Sequence, residues 1–364
     1  MLQTWLLLVV GGVLLISGAE FLVRGASRLA IAIGVSPLVV GLTVVAFGTS
    51  APEFAVTIGA AYAGEAELAL GNVVGSNIFN LLFILGLSAA ITPLLVHQQL
   101  VRTDVPIMIG ASLLVAGLGV DGEIGRYEGA LLFSGIIGYT LFLIRQSRAE
   151  SASVQREYEG AFGGAGVRAS TTVMNAALIG AGLVLLGVGA AWLVDSAVAI
   201  AAALGVSELV IGLTIVAAGT SLPEVATSVL ASIRGERDIA VGNLVGSNLF
   251  NLLGVLGLGG LVAPAGIPVP PGALTFDIPV MVGAAFATLP IFFTNYTIGR
   301  REGLMLFGYY VAYTIFLIME AANHPRLDDF GAAMKYFVLP LTAITLTLLA
   351  LRARRRQKRQ AGFH

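Results

Sequence analysis

The chain has 364 residues, of which 57% are hydrophobic and 11% are charged, and its formal net charge is −1. Soluble domains carry about 25% charged residues, so this composition, with a mean hydropathy of +0.92, excludes an ordinary soluble protein and indicates a polytopic membrane protein. The absence of cysteine excludes disulfides and thiolate metal sites.

Apolar runs along the chain predict eleven membrane spans, since about 20 apolar residues cross a hydrocarbon core of about 30 Å. The first run has neither the basic start nor the small-residue cleavage site of a signal peptide, so we interpret it as a span. The predicted spans are 4–31, 36–63, 67–92, 103–120, 127–145, 172–203, 207–233, 238–262, 273–293, 301–320 and 333–351.

The placement of basic residues predicts the orientation of the chain. With the N terminus outside, 17 of the 20 Lys and Arg residues fall on the cytoplasmic side, as cytoplasmic loops favour. The C terminus, with its basic tail RARRRQKR, is then cytoplasmic. We expect an integral protein of a prokaryotic inner membrane.

An internal duplication divides the chain. Residues 34–54 match 205–225 at 15 of 21 positions, and GNVVGSNIFN (71–80) matches GNLVGSNLFN (242–251) at 8 of 10, both at an offset of 171. Each half holds five predicted spans, and an odd number inverts the second copy in the membrane, a plan common among transporters. The predicted units are a first half (1–145), a cytoplasmic linker (146–171), a second half (172–320) and an accessory helix with the tail (321–364). The predicted fold is therefore all-α, with two inverted five-helix repeats and one additional C-terminal span.

Glu53 and its repeat mate Glu224 lie near the middle of the second and seventh predicted spans. An ionised side chain at that depth is costly unless it faces a partner or a polar cavity. Each glutamate follows a Gly-Thr-Ser and a proline, and because proline lacks an N–H, neighbouring carbonyls leave the helical hydrogen-bond ladder. Free carbonyls are tolerated there only where they line a cavity or a binding site. The two stretches therefore predict a cation site.

The second motif adds further oxygen ligands. Ser76 and Asn80 are four residues apart and share one helix face, as do Ser247 and Asn251. Carboxylates, amides, hydroxyls and carbonyls suit calcium or sodium better than zinc or copper. Two carboxylates neutralise one calcium ion or two sodium ions.

Structural roles compete for several of these residues. The stretches 50–53 and 221–224 also fit capping boxes, a role compatible with ion binding. Helix packing competes as the role of Ser76, Ser247 and the motif glycines. We expect interhelical hydrogen bonds for Asn72, Asn77, Asn243 and Asn248, helix capping for Asp104 and Asp277, and an interfacial position for Glu20 and Arg24, whose repeat mates are Ala191 and Asp195.

Other functions remain open on the residues alone. Paired carboxylates serve as general acid and base in a hydrolase, but the sequence offers no nucleophile or metal triad beside them. A passive cation channel is a second alternative. Within transporters, proton-coupled calcium exchange is the nearest one.

The duplicated motifs resemble the two alpha-repeats of the calcium/cation antiporter superfamily, specifically its sodium/calcium exchanger branch. They are GLTVVAFGTSAPEFAV with GNVVGSNIFN, and GLTIVAAGTSLPEVATSV with GNLVGSNLFN, and the resemblance covers about residues 1–320. It implies calcium coordination by Glu53 and Glu224 with backbone oxygens of Thr49 and Thr220. For sodium it implies the same glutamates with a second set: Ser50, Ser76, Ser221, Ser247 and the carbonyls of Ala46 and Ala217.

The resemblance also implies a coupling ion and a mechanism. The proton-coupled branch carries GN-x-x-E, whereas this chain reads GNVVG and GNLVG, which favours sodium. The position of Asn251, opposite Asn80, is often aspartate in the family, and an amide keeps an oxygen but cannot titrate there. We expect alternating access by movement of the first and sixth spans, with Ca²⁺ and Na⁺ as transported substrates. No resident cofactor, enzymatic activity or nucleic-acid partner is expected, and a monomer is compatible with the sequence.

Overall fold

The computed structural model describes residues 2–63, 65–162, 169–204, 215, 217–294, 296–345 and 347. It consists mainly of helices, and several of them are long enough to span a membrane. The helices are α1 (Leu2–Ile33), α2 (Pro37–Thr49), α3 (Ala51–Ala63), α4 (Ala66–Ile78, continuing through Phe79–Ile84 and Leu85–Ile91), α5 (Leu100–Asp121), α6 (Arg126–Phe162), α7 (Ala169–Ala203), α8 (Ala217–Gly219), α9 (Leu222–Arg234), α10 (Arg237–Val262), α11 (Ala273–Phe293), α12 (Arg300–Ala321) and α13 (Leu327–Ala333).

The second predicted span is broken in the middle. Helices α2 and α3 meet at an angle of 44°, with Ser50 between them. Pro52 follows two residues later, and its missing N–H leaves the carbonyl of Gly48 without the usual helical donor. The first turn of α3 carries Glu53. The break therefore places a carboxylate at the start of a half-helix inside the membrane.

Glycines hold α1 and α7 at close range. A methyl group added at Gly18 would lie 2.8 Å from the carbonyl oxygen of Gly182, and one added at Gly182 would lie 2.8 Å from that of Gly18. Gly11 and Gly189 make the same kind of contact one step along the pair. Small residues allow such backbone approach in membranes, where van der Waals packing drives helix association. The two helices are therefore packed as one unit.

The remaining helices surround the two central ones, α4 and α10. Gly86 of α4 packs on Gly303 of α12, and Gly257 of α10 packs on Gly129 of α6, which are repeat-related contacts. Two short antiparallel ribbons join the repeats at opposite ends. Strand β1 (Leu94–Leu95) pairs with β4 (Thr297–Ile298), and β2 (Glu123–Ile124) pairs with β3 (Ile267–Pro268).

Turns of π-helix recur at matched places in the two halves. They occupy Phe79–Ile84 and Phe250–Val255 in the central helices, and Leu100–Asp104 and Ala273–Asp277 at the start of the next span. Such turns contain one extra residue per turn, interrupt the regular ladder and are frequent at functional sites. Asn80 and Asn251 lie within the first pair.

The all-α membrane fold is confirmed. Among the described residues, eight helices are long and apolar enough to span a membrane, and the bent pair α2–α3 makes nine. The seventh and eleventh predicted spans lie partly outside the described residues. The segment predicted as a linker begins as helix, because α6 continues to Phe162.

Candidate ion-binding site

The two glutamates lie together at the interface between the repeats. Glu53 and Glu224 occupy the first turns of α3 and α9, and both are 0% exposed. Ser221 donates a hydrogen bond to Oε1 of Glu53 at 3.0 Å, and Ser50 donates to Oε1 of Glu224 at 3.3 Å. Each half therefore supplies a carboxylate together with a hydroxyl for the carboxylate of the other half.

A second reciprocal set surrounds the first. Thr49 donates to Oδ1 of Asn243 at 3.1 Å, and Thr220 donates to Oδ1 of Asn72 at 3.3 Å. The amide groups of these asparagines donate in turn to hydroxyls one helix away, Asn72 to Thr57 at 3.0 Å and Asn243 to Ser228 at 3.0 Å. The interhelical role predicted for Asn72 and Asn243 is confirmed. These bonds fix the threonine side chains at the two helix breaks.

The central helices bring the remaining predicted residues to the same place. The hydroxyl of Ser76 lies 3.5 Å from Oε1 of Glu53 and 3.3 Å from the hydroxyl of Ser221. The hydroxyl of Ser247 lies 3.4 Å from that of Thr49. Both serines are buried. They connect the helix breaks to α4 and α10.

The paired asparagines of the π-helical turns differ between the halves. Asn80 donates to Oδ1 of Asn248 at 3.4 Å, and Asn248 donates to the sulfur of Met108 at 3.6 Å. Asn251 is 0% exposed, and in the part of the chain that the structure describes neither of its side-chain polar atoms has a hydrogen-bond partner. The interhelical role of Asn248 is thereby confirmed, and Asn251 is left as a buried amide without protein partners.

Four of the predicted site residues carry a buried acceptor atom without a hydrogen-bond partner among the described residues. These atoms are Oε2 of Glu53, Oε2 of Glu224, Oδ1 of Asn80 and Oδ1 of Asn251. A buried polar atom left unsatisfied costs about 1–3 kcal/mol, and more when it is charged. Oxygen atoms that only accept are satisfied together by a cation. The donor set is one that calcium or sodium prefers, since it consists of carboxylate, amide, hydroxyl and carbonyl oxygen.

No basic side chain competes with a cation here. Within the described ranges, the only ion pairs join Glu20 to Arg24 and to Arg234, away from the two central glutamates. The same residues contain no cluster of three or more His, Cys, Asp or Glu side chains. The negative charge of the site therefore comes from two carboxylates alone.

The backbone positions named from the resemblance lie on the helical side of the breaks. The carbonyl of Ala46 accepts from the N–H of Ser50 at 3.0 Å and from the hydroxyl of Thr49 at 3.3 Å. Ala217 is the first residue of α8. The Ala46 carbonyl thus accepts two hydrogen bonds within its own helix. A cation that binds this oxygen must share it with the donors of Ser50 and Thr49.

The capping boxes predicted at the two breaks are wrong. Ser221 precedes α9 but makes no side-chain cap bond, because its hydroxyl is directed to Glu53 of the other repeat. The hydroxyl of Ser50 is likewise directed to Glu224. Cross-repeat hydrogen bonding replaces local capping at both positions.

Three other structural predictions are wrong as well. Asp104 and Asp277 make no cap bonds but accept from the hydroxyls of Tyr139 at 3.0 Å and Tyr313 at 2.7 Å. Asn77 donates within its own helix, to the carbonyl of Val73 at 2.7 Å. The sequence did contain a signal for the tyrosines, since they recur at an offset of 174 with the GR-x-EG segments that precede them.

Comparison with known proteins agrees with this geometry. The sodium/calcium exchanger protein family matches residues 3–145 and 174–319. The chain is 33% identical to the sodium/calcium exchanger MaX1 of Methanosarcina acetivorans, over 78% of this chain and 90% of that protein. It is 34% identical to the inner membrane protein YrbG of Escherichia coli, over 78% of this chain and 87% of that protein, and 37% identical to the putative antiporter CaxA of Alkalimonas amylolytica, over 78% and 89%.

Solved structures show the same fold. The sodium-calcium exchanger NCX_Mj, soaked with 2.5 mM Na⁺ and 0.1 mM Ca²⁺, superposes with a TM-score of 0.73 at 30% identity, covering 85% of this chain and 97% of that one. The family match spans both repeats, and it includes both helix breaks and both central helices. With its duplicated motifs and its buried pair of glutamates, the chain belongs to the sodium/calcium exchanger family.

Proposed function

We propose that the chain exchanges Na⁺ for Ca²⁺ across the membrane by alternating access at the site between Glu53 and Glu224. The observation that carries this proposal is the reciprocal arrangement of the two carboxylates, each bonded by one oxygen to the opposite repeat and each with its second oxygen unpartnered among the described residues. The two carboxylates together carry the charge that neutralises one calcium ion, and each has one oxygen free to bind it.

Calcium is assigned to the two glutamates together with backbone oxygens of Thr49 and Thr220. Asn243 and Asn72 accept hydrogen bonds from the side chains of Thr49 and Thr220, which leaves the backbone oxygens of the threonines as the proposed ligands. Calcium takes six to eight oxygen ligands, and two bidentate carboxylates with two carbonyls supply six.

Sodium is assigned to the same glutamates with an overlapping set of oxygens. That set comprises Ser50, Ser76, Ser221, Ser247, Asn80, Asn251 and the carbonyls of Ala46 and Ala217. Because calcium and sodium compete for the same two carboxylates, their occupancies exclude each other. This competition makes the cycle an exchange.

The movement is assigned to α1 and α7, which pack on each other through their glycines and slide as a pair past the other core helices. In the conformation described here the glutamates, Ser50, Ser221 and Ser247 are all 0% exposed, so the site is occluded from both sides. Crossing this occluded state with two uncompensated charges incurs a large desolvation penalty. The empty carrier therefore stalls, and ions are exchanged without leakage.

Sodium is favoured as the coupling ion because the second motif reads GNVVG and GNLVG, whereas the proton-coupled branch carries GN-x-x-E. Asn251 offers an amide oxygen to a metal ion but does not titrate. Proton/calcium or other cation/calcium antiport is the alternative, and potassium belongs among the tested ions because relatives include sodium/potassium/calcium exchanger 2 of Gallus gallus, 32% identical over 32% of this chain. The proposed location is a prokaryotic inner membrane, with the N terminus outside and the basic C-terminal tail in the cytoplasm.

The test is radioactive calcium uptake into liposomes that contain the purified protein and are loaded with sodium, potassium or a proton gradient in parallel. We expect uptake only with sodium inside and a sodium-poor medium outside. Uptake driven equally by a pH gradient would establish the proton-coupled alternative. Flux that persists without any counter-ion, with single-channel currents, would support a channel instead.

A further inference from the structure

Among the described residues, an ion pair between helices joins α1, which is proposed to move, to the end of α9. Arg234, the last residue of α9, forms an ion pair with Glu20 in which Nη2 lies 2.9 Å from Oε1, and its Nε donates a hydrogen bond to Oε2 at 3.1 Å. Glu20 also pairs with Arg24 in its own helix. A charge-assisted hydrogen bond within an ion pair is stronger than one between neutral groups.

A second polar contact lies two helical turns beyond the first. Ser27 of α1 donates to Oε1 of Glu236 at 2.9 Å, in the turn between α9 and α10. Both contacts therefore tie the same end of α1 to the same turn. We name the group Glu20, Arg234, Ser27 and Glu236 the α1 latch.

The inverted repeat supplies an internal comparison for the latch. At the offset of 171, the position equivalent to Glu20 is Ala191 on α7, and the position equivalent to Arg234 is Ala63 at the end of α3. The same offset relates the glycine contacts of the two helices, since Gly11 with Gly189 is the repeat image of Gly182 with Gly18. Two alanines form neither an ion pair nor a side-chain hydrogen bond. The opposite face thus lacks this Glu–Arg contact.

We infer that the α1 latch makes the two open states unequal, by holding closed the face on which Glu20 and Arg234 meet. This inference rests on the proposed movement of α1 and α7 and on the proposed orientation, which puts the latch on the cytoplasmic side. Opening that side separates α1 from the end of α9 and breaks the latch. On the outer side the equivalent positions, Ala191 and Ala63, are uncharged, so opening there breaks no equivalent Glu–Arg contact. The carrier therefore prefers to present its site outward.

The size of the preference follows from the exposure of the pair. Arg234 keeps 54% of its side-chain surface exposed and Glu20 keeps 16%, so the contact is partly screened. Exposed ion pairs change equilibria by up to about fivefold. We expect loss of the latch to raise the population of the inward-open state about two- to fivefold.

The chain contains no cysteine, so single introduced thiols report on each face. Ala231, 0% exposed, lies on α9 in the cluster packed against α1, and its repeat mate Ala60 is 6% exposed. In inside-out vesicles, the rate at which a membrane-impermeant thiol reagent modifies Ala231→Cys measures inward opening, and in right-side-out vesicles the rate for Ala60→Cys measures outward opening. Glu20→Gln is introduced into each reporter.

We expect Glu20→Gln to accelerate modification of the inward reporter about two- to fivefold without accelerating the outward one. Arg24→Gln is the matched control, because it removes the partner of Glu20 within α1 and leaves the contact with Arg234 intact; its rates should equal those of the parent. The exchanged pair Glu20→Arg with Arg234→Glu should return the inward rate toward the parent value.

Equal rates in Glu20→Gln and the parent would overturn the inference, and so would equal acceleration at both reporters, which indicates general loosening. Ser27→Ala changes no charge and provides a second variant for the case in which Glu20→Gln does not fold; we expect a smaller shift in the same direction. Sodium-driven calcium uptake by the parent is measured separately. Failure of that assay would count against the proposed function, whereas the labelling rates report only on the latch.

Discussion

Ser50 and Glu224 belong to opposite repeats, yet the serine hydroxyl lies 3.3 Å from the glutamate carboxylate, and the inverse pair, Ser221 and Glu53, is separated by 3.0 Å. Each helix break thus completes the site of its partner. Because the serine is three residues before the glutamate in both copies, a single local geometry produces the whole arrangement. Neither half of the chain holds a complete site by itself.

Replacing either carboxylate with an amide should remove calcium transport. Glu53→Gln and Glu224→Gln keep the size and an oxygen at each position but remove one of the two charges that neutralise the divalent ion. We expect at least about a tenfold loss of sodium-driven calcium uptake for each, equivalent to about 1.4 kcal/mol. The control is Glu65→Gln, an exposed glutamate between α3 and α4, which should transport at the parent rate. Near-normal uptake by either site variant would remove the basis for the assigned site.

Introducing a carboxyl at position 251 should add a pH dependence to transport that the parent does not have. Asn251→Asp adds a group that is negative at higher pH and neutral when protonated at lower pH, so the charge of the site changes from two to three carboxylates as pH rises. We expect the apparent calcium and sodium affinities of the variant to diverge from the parent at high pH and approach it at low pH. Flux measured between about pH 5 and 9 tests this, since the side chain of Asn251 has no titration of its own. Parallel pH profiles for parent and variant would show that this position does not contribute to ion binding.

Much of the site was predictable because duplication turns one observation into two. A glutamate beside a proline in one apolar run has several interpretations, but Glu53 and Glu224 recur with the same flanking residues at a fixed offset. Their depth in predicted spans requires partners, and the inverted topology brings them to a shared interface. The loosened backbone before each glutamate followed from the same repeats, whereas the threonine ligands and the serines beside them were implied by the resemblance to the exchanger family.

What the sequence did not predict depends on contacts between distant segments. Asp104 precedes a proline and fits a helix cap, but its π-helical turn directs the carboxyl to Tyr139 of the next helix. Asn77 and Asn248 hold identical positions in the motif, yet one bonds its own backbone and the other bonds across helices. The helical extension of α6 to Phe162 reflects the helix formers Ala, Glu, Gln and Arg in a segment that polarity alone marked as a linker.

Close packing of α1 on α7 predicts unequal effects for two neighbouring glycines. A methyl group at Gly182 would lie 2.7 Å from the backbone nitrogen of Leu22, whereas one at Gly180 would meet no atom within 4 Å. Gly182→Ala should therefore force the helices apart and destabilise the protein by about 1–3 kcal/mol, as overpacking does. Gly180→Ala should leave thermal stability unchanged or raise it, because alanine favours helix. Thermal unfolding in detergent compares the two, and equal melting temperatures would contradict the close contact.

The two aspartate–tyrosine pairs predict a difference in stability between the repeats. Asp104 is 0% exposed and Asp277 is half-buried, although each accepts one tyrosine hydroxyl. Tyr139→Phe should therefore leave a fully buried carboxyl without its donor and destabilise the protein by about 1–3 kcal/mol.

Tyr313→Phe should have a smaller effect, since Asp277 is only half-buried and its carboxyl is not fully enclosed when the hydroxyl is removed. Thermal unfolding of both variants in detergent measures the difference, and Tyr309→Phe, which removes the hydroxyl that contacts Thr342 one turn before Tyr313, is the matched control for loss of a tyrosine hydroxyl on α12. Because Asp104 and Asp277 lie outside the proposed ion ligands, the coupling of calcium uptake to sodium should be unaffected in both. A larger loss of stability for Tyr313→Phe than for Tyr139→Phe would contradict the argument from burial.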